Sequence, residues 1–423
     1  MNAQRLLERF LGYVGIDTTS VEGVADYPSS PGQLQLGQRV AEELRQLGLP
    51  EVEQDSHGLV WATLPSNGSP AGPTIAFLAH LDTSPEAPGG PVRAQVIECY
   101  QGGEIPLPGD RSKILRPEEN PELQRMVGKT LITSDGTTLL GADDKTGVAI
   151  LVETVAHLVE NPHIRHGPIR LLFTCDEEIG RGVDFVDLQR LGATVAYTLD
   201  GTGAYSIDVE TFSADQAVIT ITGRNIHPSI AKGRMVNALR VVGELLCRFP
   251  LDHLSPESTE GRQGFIHPYW VEGGVGKVVL RVLLRDFQTS QLAEYARLLY
   301  EAAAEAQALF PGSSIEVAIT PQYRNMAEGL AKHPQAVALA QKALERLGRR
   351  PRLTFVRGGT DGARLTAMGL PTPNLATGQY NPHSVLEWAC LDEMIDTVAW
   401  LVSLAELWAF PEADGQGQNT HSR

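Results

Sequence analysis

Short apolar runs alternate with longer amphipathic segments along most of the chain. The runs with the length and apolar density of buried strands are residues 73–80, 169–175, 193–200 and 372–378. Residues 146–160 and 334–348 instead repeat apolar side chains at helical spacing. Strands that alternate with helices are typical of a mostly parallel sheet covered by helices. The pattern therefore predicts an α/β fold with a mostly parallel central sheet.

A different pattern occupies residues 209–320. Strands are predicted there at 216–223, 276–287 and 313–320, and helices at 237–249 and 290–310. This order predicts an α+β domain inserted into the α/β domain, which is then formed by residues 1–208 and 321–408. The polar residues 409–423 are predicted to form a disordered tail.

The composition limits the classes of partner. The 423-residue chain is 42% hydrophobic and 20% charged, as expected of a soluble globular protein. Its 35 basic and 51 acidic residues give a net charge of −16, which would repel nucleic acid. Its start is amphipathic rather than a signal peptide, and no run approaches the ~20 apolar residues of a membrane span. Four cysteines without CxxC spacing indicate a reducing compartment, so we expect a cytoplasmic protein that binds neither nucleic acid nor membrane.

Acidic residues and histidines lie at or just after the carboxyl ends of the four predicted strands, the edge where open α/β sheets bind ligands. They are His80 and Asp82 after the first strand, Asp176, Glu177 and Glu178 after the second, Asp200 at the end of the third and His383 after the fourth. Asp143 and Asp144 precede the helix expected from about Thr146. Imidazole and carboxylate together suit Zn²⁺, Mn²⁺ or Co²⁺, and a metal cation would let so many acids lie close together.

Each of these residues also has an ordinary structural explanation. His80 could be a hydrogen-bonded core histidine, and Asp143 with Asp144 could cap a helix. The run "GADDKTG" also suggests a phosphate-binding loop, but Asp144 stands where a P-loop requires glycine before its lysine. The coincidence of such residues at four strand ends favours a metal site.

Longer motifs make the chain recognisable. They are "AHLDTSPE", "TTLLGADDKTGVA", "FTCDEEIGRG", "AYTLDG", "HPSIAKGRMVNAL", "LLRDF", "VRGGTDGARL" and "GLPTPNLATGQYNPH". In these runs the chain resembles the M20 family of metallopeptidases, and "SDGTTLLGADDK" resembles its tripeptide aminopeptidases in particular. The resemblance implies a catalytic domain that holds two Zn²⁺ ions, with Co²⁺ or Mn²⁺ as substitutes. It also implies an inserted lid domain that often mediates formation of a homodimer.

The resemblance assigns roles to the residues at the strand ends. It makes Asp143 a carboxylate that bridges both metals, with His80 and Asp200 on one metal and Glu178 and His383 on the other. It makes Glu177 the general base, which takes a proton from water and passes it to the leaving amine. Asp82 would orient His80, and Asp176 would have a supporting structural role.

The resemblance also assigns residues of the inserted domain and its surroundings to the substrate. His227 would help to polarise the scissile carbonyl, from its own subunit or from across a dimer. Arg285, Asn237 and Arg357 would bind the peptide backbone and its C-terminal carboxylate, for which a fork of arginine donors is well suited. The ordinary alternatives are a turn histidine before Pro228 and arginines in surface ion pairs.

These features predict a di-zinc aminopeptidase that releases the N-terminal residue from tripeptides. The alternatives are another M20 hydrolase (a dipeptidase, a carboxypeptidase or an amidohydrolase of N-acyl amino acids) and a metal-stabilised protein that binds peptides without cleaving them. Three departures from the family pattern bear on substrate length and side-chain preference: Ser229 after the lid His-Pro, Ser206 in place of an acidic residue, and "SVLEW" after His383.

Overall fold

The computed structural model describes residues 1–68, 72–250 and 252–410. Their contacts divide the chain into two compact units. The first unit comprises Met1–Val209, Gly329–Thr354 and the described residues from Thr360 onward, and the second comprises Glu210–Glu328 with Phe355–Gly359. The sequence predicts an inserted domain at residues 209–320. The assignment of the first unit as the catalytic domain and of the second unit as the lid stays a prediction. Most of the predicted tail, 411–423, lies outside the described residues.

The α-helices within the described residues vary from single turns to five turns. They are α1 (Ala3–Val14), α2 (Pro31–Gln46), α3 (Ala142–Glu160), α4 (Leu188–Leu191), α5 (Ala238–Leu246), α6 (Gln291–Leu309), α7 (Ala327–Ala331), α8 (Pro334–Arg346), α9 (Asp361–Ala367) and α10 (Leu391–Ala409). Among the described helices, none has both the length and the apolar character needed to cross a membrane.

The β-strands of the same residues form two main sheets and one short hairpin. They are β1 (Glu51–Gln54), β2 (Val60–Leu64), β3 (Ile75–His80), β4 (Gln95–Ile97), β5 (Ile105–Pro106), β6 (Ile114–Leu115), β7 (Leu131–Thr133), β8 (Ile169–Thr174), β9 (Val195–Thr202), β10 (Ser206–Thr211), β11 (Ser213–Thr222), β12 (Phe265–Gly273), β13 (Lys277–Asp286), β14 (Ser314–Tyr323), β15 (Arg352–Val356), β16 (Asn374–Tyr380) and β17 (Trp388–Cys390).

The large sheet of the first unit has a parallel centre. Its main order is β1-β2-β8-β3-β9-β16-β17-β7-β4, with β10 beside β16 and β15 beside β10. Strands β8, β3, β9 and β16 run parallel to their neighbours in this series, and the outer pairs are antiparallel. The carboxyl ends of the four predicted strands therefore share one edge. The predicted α/β fold with a mostly parallel central sheet is confirmed.

Both faces of this sheet are buried, which explains why its strands are continuous apolar runs. On β3, Phe77 and Ala79 belong to the large core that contains α3 and α10, whereas Ala76 and Leu78 belong to a separate cluster on the other face. Successive strand residues point to opposite faces. With apolar neighbours on both sides, a polar residue is tolerated mainly where the strand ends, at His80.

The second unit has a four-stranded antiparallel sheet in the order β12-β13-β11-β14, and its apolar core includes side chains of α5 and α6. Strand β12 was not predicted from the sequence. It contains Pro268, which cannot donate a ladder hydrogen bond, and its register with β13 shifts between Pro268 and Trp270. Proline and a bulge are both typical of an edge strand, which is the position of β12 in the sheet.

Candidate metal centre

The structure brings the five predicted ligands together at the carboxyl edge of the large sheet. One group consists of His80, Asp143 and Asp200, and a second consists of Asp143, Glu178 and His383. Within each group, one donor atom from every residue lies within 4.8 Å of the others. Asp143 belongs to both groups, so the two triads form one continuous cluster.

The two oxygens of Asp143 face different histidines. Oδ1 lies 3.0 Å from Nε2 of His80, and Oδ2 lies 3.6 Å from Nε2 of His383. Nε2 of His80 is also 3.6 Å from Oδ1 of Asp200, and Nε2 of His383 is 2.8 Å from Oε2 of Glu178. Each histidine nitrogen is thus shared between two carboxylates, as expected of donors gathered around a common cation.

Asp143 is held by Glu387, a carboxylate whose role was not apparent from the sequence. Glu387, which is 1% exposed, accepts the backbone N–H of Gly141 at 2.6 Å and that of Asp143 at 2.9 Å. Gly141 has a φ of 75°, a left-handed conformation that glycine adopts without steric cost. Burial raises the pKa of Glu387 to about 8. The residue shared by the two donor groups is therefore fixed through its own backbone and not only through its side chain.

Asp144, the second acid of the pair, has a structural place. Its Oδ2 accepts the backbone N–H of His80 at 3.1 Å, and its Oδ1 accepts that of Gly147 at 3.1 Å. It is fully buried and ties the end of β3 to the first turn of α3. The helical segment begins at Ala142, earlier than the sequence predicted, but Asp143 and Asp144 have non-helical backbone angles inside it.

Asp82 connects two of the strand ends. Its Oδ1 accepts the backbone N–H of Glu177 at 3.0 Å, and its Oδ2 accepts that of Glu178 at 3.1 Å. Its Oδ1 also lies 3.4 Å from Nδ1 of His80, and that nitrogen is 3.1 Å from the Asp82 carbonyl. Asp82 therefore faces the histidine nitrogen that points away from the cluster, and it fixes the backbone of the acidic run.

Asp176 points away from the cluster. It has a φ of 59°, and its carboxylate accepts the backbone N–H of Ser29 at 2.8 Å and the Gln33 amide at 2.7 Å. The Ser29 hydroxyl donates to it as well, at 2.5 Å. The backbone reversal at Asp176 sends its side chain to the start of α2, whereas Glu178, two residues later, belongs to the donor cluster.

Two further residues contact the predicted ligands and were not identified from the sequence. Oδ1 of Asn374 accepts the backbone N–H of Asp200 at 3.1 Å, and Oε2 of Glu86 lies 2.9 Å from Nδ1 of His383. His383 has a φ of 60°, which is uncommon for residues other than glycine. The sequence spacing of Asn374 and Glu86 does not distinguish them from other polar residues. Of the predicted ligands, Asn374 contacts a backbone N–H, and Glu86 contacts an outer ring nitrogen.

The carboxylates of the cluster repel one another, and burial adds to the cost of their charge. Burial, and then the charge of Asp143, raises the pKa of Glu178 to about 7 and that of Asp200 well above its usual range. Burial also raises the pKa of Glu177. Burial opposes ionisation of Asp143 as well, but hydrogen bonds with the two histidines outweigh it and lower the Asp143 pKa.

The histidines respond in the opposite sense. Burial alone would lower the pKa of His383, but its bonds with Asp143 and Glu178 raise that pKa to about 12. The pKa of His80 is likewise raised by its bonds with Asp143, Asp200 and Asp82, against the effect of burial. The cluster therefore requires positive charge, which protons on the imidazoles or metal cations can provide.

One atom of the cluster lacks a partner. Within the described residues, Oε1 of Glu178 is buried and accepts no hydrogen bond, which is costly for a carboxylate oxygen. Two imidazoles and three carboxylates, with an acceptor oxygen left open, fit a pair of divalent transition-metal ions that share Asp143.

His227 and Asn237 lie in the second unit. His227 is exposed, and its Nδ1 lies 2.7 Å from the Ser229 hydroxyl in the turn that follows. Asn237 precedes α5, and its side chain accepts the backbone N–H of Leu239 at 3.0 Å, which is a helix cap. Their predicted contacts with a substrate stay predictions.

Arg285 and Arg357 also lie in the second unit, and both have partners there. Arg285 donates to the Gln322 side chain at 2.8 Å and to the Asp215 carbonyl at 3.2 Å. Arg357 donates to the carbonyl and the hydroxyl of Thr259 at 2.8 Å and 3.0 Å. These bonds hold both guanidinium groups in place, and the substrate-binding role of each stays a prediction.

Comparison with known proteins identifies the family. Residues 135–407 match the model of "Peptidase family M20/M25/M40". The chain belongs to this peptidase family. Among curated M20 relatives it is 42% identical over 405 residues to peptidase T of Halothermothrix orenii, covering 96% of this chain and 99% of the relative. The predicted resemblance to the M20 family, and within it to peptidase T, is confirmed.

Solved structures support the M20 fold. Aminopeptidase PepT from Bacillus cereus superposes with a TM-score of 0.74 at 24% identity, over 97% of this chain and 99% of that one. The YXEP protein of Bacillus subtilis, described as a dinuclear metal-binding peptidase of the M20 family, superposes with a TM-score of 0.61 at 15% identity, over 96% and 98% of the two chains. The M20 fold thus extends over nearly the whole chain.

Proposed function

We propose that this M20 chain is a metal-dependent aminopeptidase that releases the N-terminal residue from tripeptides. The observation that carries the proposal is the pair of donor triads that share Asp143, with Glu177 beside ligand candidate Glu178. Relatives named peptidase T, 40–43% identical over 95–96% of this chain, support the choice of reaction and substrate.

The proposed metal content is two Zn²⁺ ions. His80, Asp143 and Asp200 would hold one ion, and Asp143, Glu178 and His383 would hold the other. When bound, such ions supply Lewis acidity, which polarises a peptide carbonyl and makes water more acidic. Asp82 and Glu86 face the outer nitrogens of the two histidines and would fix the ring orientations of these ligands.

Glu177 is proposed as the general base. Its backbone is fixed by the bond from its N–H to Asp82, whose carboxylate also accepts the backbone N–H of Glu178. Burial raises its pKa, and nearby metal charge would lower the pKa again towards neutral pH. Glu177 would accept one proton as water attacks the carbonyl carbon and would return that proton to the leaving amine as the C–N bond breaks. The products are a free amino acid and a dipeptide.

The remaining assignments concern recognition and assembly. His227 would contact the scissile carbonyl, and Arg285, Asn237 and Arg357 would bind the substrate backbone or its C-terminal carboxylate. The second unit would act as the lid and as the contact surface of a homodimer. We further propose that the protein is cytoplasmic, since its cysteines show no disulfide or metal spacing.

The test is mass-spectrometric turnover by zinc-loaded protein. The substrates are Ala-Ala-Ala, its N-acetylated form, its C-terminal amide, and the corresponding dipeptide and tetrapeptide. Release of alanine from the free tripeptide, abolished by Glu177→Gln and unchanged by Glu42→Gln on the exposed face of α2, would support the proposal. Cleavage of the acetylated peptide would instead indicate an amidohydrolase or carboxypeptidase. Metal uptake and peptide binding without any turnover would indicate a peptide-binding protein.

A further inference from the structure

A cavity separate from the metal centre lies in the first unit. Its volume is about 590 Å³, within the range of small-molecule sites. It is lined by Arg125 and Lys129, by the β9–β10 turn at Ala204 and Tyr205, by the segment 348–352, and by Tyr380 and Glu393. The lining residues thus come from five segments distant in sequence, as in pockets formed by a fold rather than by one loop.

The cavity is strongly cationic. Arg125, Lys129, Arg349, Arg350 and Arg352 all line it, and Glu393 is the only acid among the described lining residues. The chain as a whole has a net charge of −16. The local charge at this cavity is therefore opposite in sign to the net charge of the protein. Grouped cations repel one another, and a bound anion would relieve that repulsion.

Part of this charge is already neutralised within the protein. Nζ of Lys129 lies 2.9 Å from Oε1 of Glu393, and Nη2 of Arg349 lies 2.7 Å from Oδ2 of Asp396. Glu393 also accepts the Tyr380 hydroxyl at 2.7 Å. Both oxygens of Glu393 therefore have partners, and this acid is not available to balance the other arginines.

Three arginines of the cavity remain without a carboxylate partner among the residues that the structure describes. Arg352 donates to the Ala204 carbonyl at 3.0 Å, which orients its guanidinium but leaves its charge unbalanced. Neither Arg125 nor Arg350 forms an ion pair with any residue in 1–68, 72–250 or 252–410. To balance the charge of these three arginines, a molecule bound in the cavity would have to carry more than one negative charge.

The aromatic walls are held firmly. The ring of Tyr380 stacks on Trp388 with a centroid separation of 3.9 Å and an interplanar angle of 6°. Tyr205 has a φ of 61°, and its carbonyl accepts the backbone N–H of Arg352 at 3.0 Å. Its hydroxyl bonds to Asp396, and the Arg349 guanidinium lies 5.3 Å from its ring centroid. A strained tyrosine kept in place by several contacts is more typical of a binding site than of an arbitrary surface.

We propose that this cavity binds a small phosphorylated molecule. A phosphoryl group carries close to two negative charges at neutral pH and accepts several hydrogen bonds, which matches the planar forks of Arg125, Arg350 and Arg352. The site is independent of the proposed peptidase reaction. It is nevertheless connected to the metal centre through the chain, because β9 carries Asp200 just before Ala204 and β16 ends at Tyr380 just before His383.

The test is calorimetric titration of the full-length, zinc-loaded chain with pyrophosphate and, separately, with ADP. The double variant Arg125→Ser/Arg350→Ser removes two charges that make no ion pair within the described part of the chain, and Arg350→Glu alone inverts one. The matched control is Arg165→Ser, an exposed arginine in the segment that follows α3. Thermal unfolding of every variant shows whether the fold is retained.

Submillimolar binding of either probe, weakened about tenfold or more in the double variant and in Arg350→Glu but unchanged in Arg165→Ser, would support the site. The two probes distinguish a free polyphosphate from a phosphorylated molecule with a ring, since a ring can contact the tyrosine walls. Absence of binding at millimolar probe would overturn the proposal. Equal binding by the parent and the double variant would overturn it too, because the probe would then lie elsewhere, such as at the metal centre.

Discussion

Two groups of buried charge lie along the same helix, α3, and they are arranged in opposite ways. At its N-terminal end, Asp143 is part of the candidate metal centre. Further along, Glu153 is completely buried and is surrounded by arginines of α1. Arg5 donates to both of its oxygens, at 2.8 Å and 2.9 Å, Arg9 donates to one of them, and the backbone N–H of Asn2 donates to the other at 3.1 Å.

The difference separates charge that stabilises a fold from charge that serves a reaction. Every oxygen of Glu153 has donors from the chain itself, and arginine is a permanent cation, so this group is complete. At the candidate metal centre the cluster carboxylates pair with titratable histidines, and one oxygen of Glu178 has no partner among the described residues. A carboxylate whose oxygens all have donors cannot bind a further ligand, whereas a cluster with an open acceptor oxygen can.

The largest expected effect comes from the residue that joins the two triads. Asp143→Asn removes the negative charge common to both proposed metal positions while keeping the shape of the side chain. We expect kcat on Ala-Ala-Ala to fall by about 10³-fold or more, because a misplaced pair of metal ions loses most of its electrostatic stabilisation of the transition state. Bound zinc, measured by elemental mass spectrometry, should fall below two ions per chain. An active variant with two zinc ions would show that Asp143 is not the bridge.

Disrupting the ion pairs of Glu153 should lower the stability of the fold but leave kcat unchanged. Glu153→Ala leaves Arg5 and Arg9 without their buried partner, and we expect the free energy of unfolding to fall by about 3–5 kcal/mol. The matched control is Glu160→Ala on the same helix, whose side chain is 50% exposed and pairs with Arg5; its loss should cost less than about 1 kcal/mol. Urea unfolding measures both variants. Equal costs for the two would contradict the comparison, as would loss of kcat in folded Glu153→Ala.

Binding of metal ions at the candidate metal centre should stabilise the fold. Zinc at about 100 times its dissociation constant is expected to add about 2.7 kcal/mol per site to the free energy of unfolding. Thermal unfolding with and without a chelator measures this gain. The gain should be much smaller in Asp143→Asn and unchanged in Glu160→Ala. A gain that persists in Asp143→Asn would place the stabilising metal elsewhere on the chain.

The contrast also explains which parts of the structure the sequence could predict. His80 and Glu178 were recognisable because parallel strands bring their carboxyl ends to one edge, where polar residues interrupt apolar runs. Glu387 and Asn374 were not, because they bond to backbone N–H groups that leave no pattern in the sequence. Strand β12 was missed because Pro268 interrupts the periodicity of an edge strand.

The smallest effect concerns His166, a buried histidine without an acidic neighbour among the described residues. His166 is 2% exposed, and its Nδ1 lies 2.8 Å from the Gly167 carbonyl. Burial lowers the pKa of His166. In contrast, neighbouring carboxylates raise the pKa of His80 and that of His383. The unfolded chain protonates His166 near pH ~6.5 and the folded chain only at lower pH, so its contribution to stability is lost as the pH falls below ~6.5. Between about pH 7.5 and 5.5, unfolding by urea should therefore show a smaller drop in stability, by up to about 1 kcal/mol, for His166→Gln than for the parent chain. The exposed control His163→Gln should keep the full drop. An identical drop in both variants would show that burial does not lower the pKa of His166, because the folded and unfolded chains would then bind its proton at the same pH.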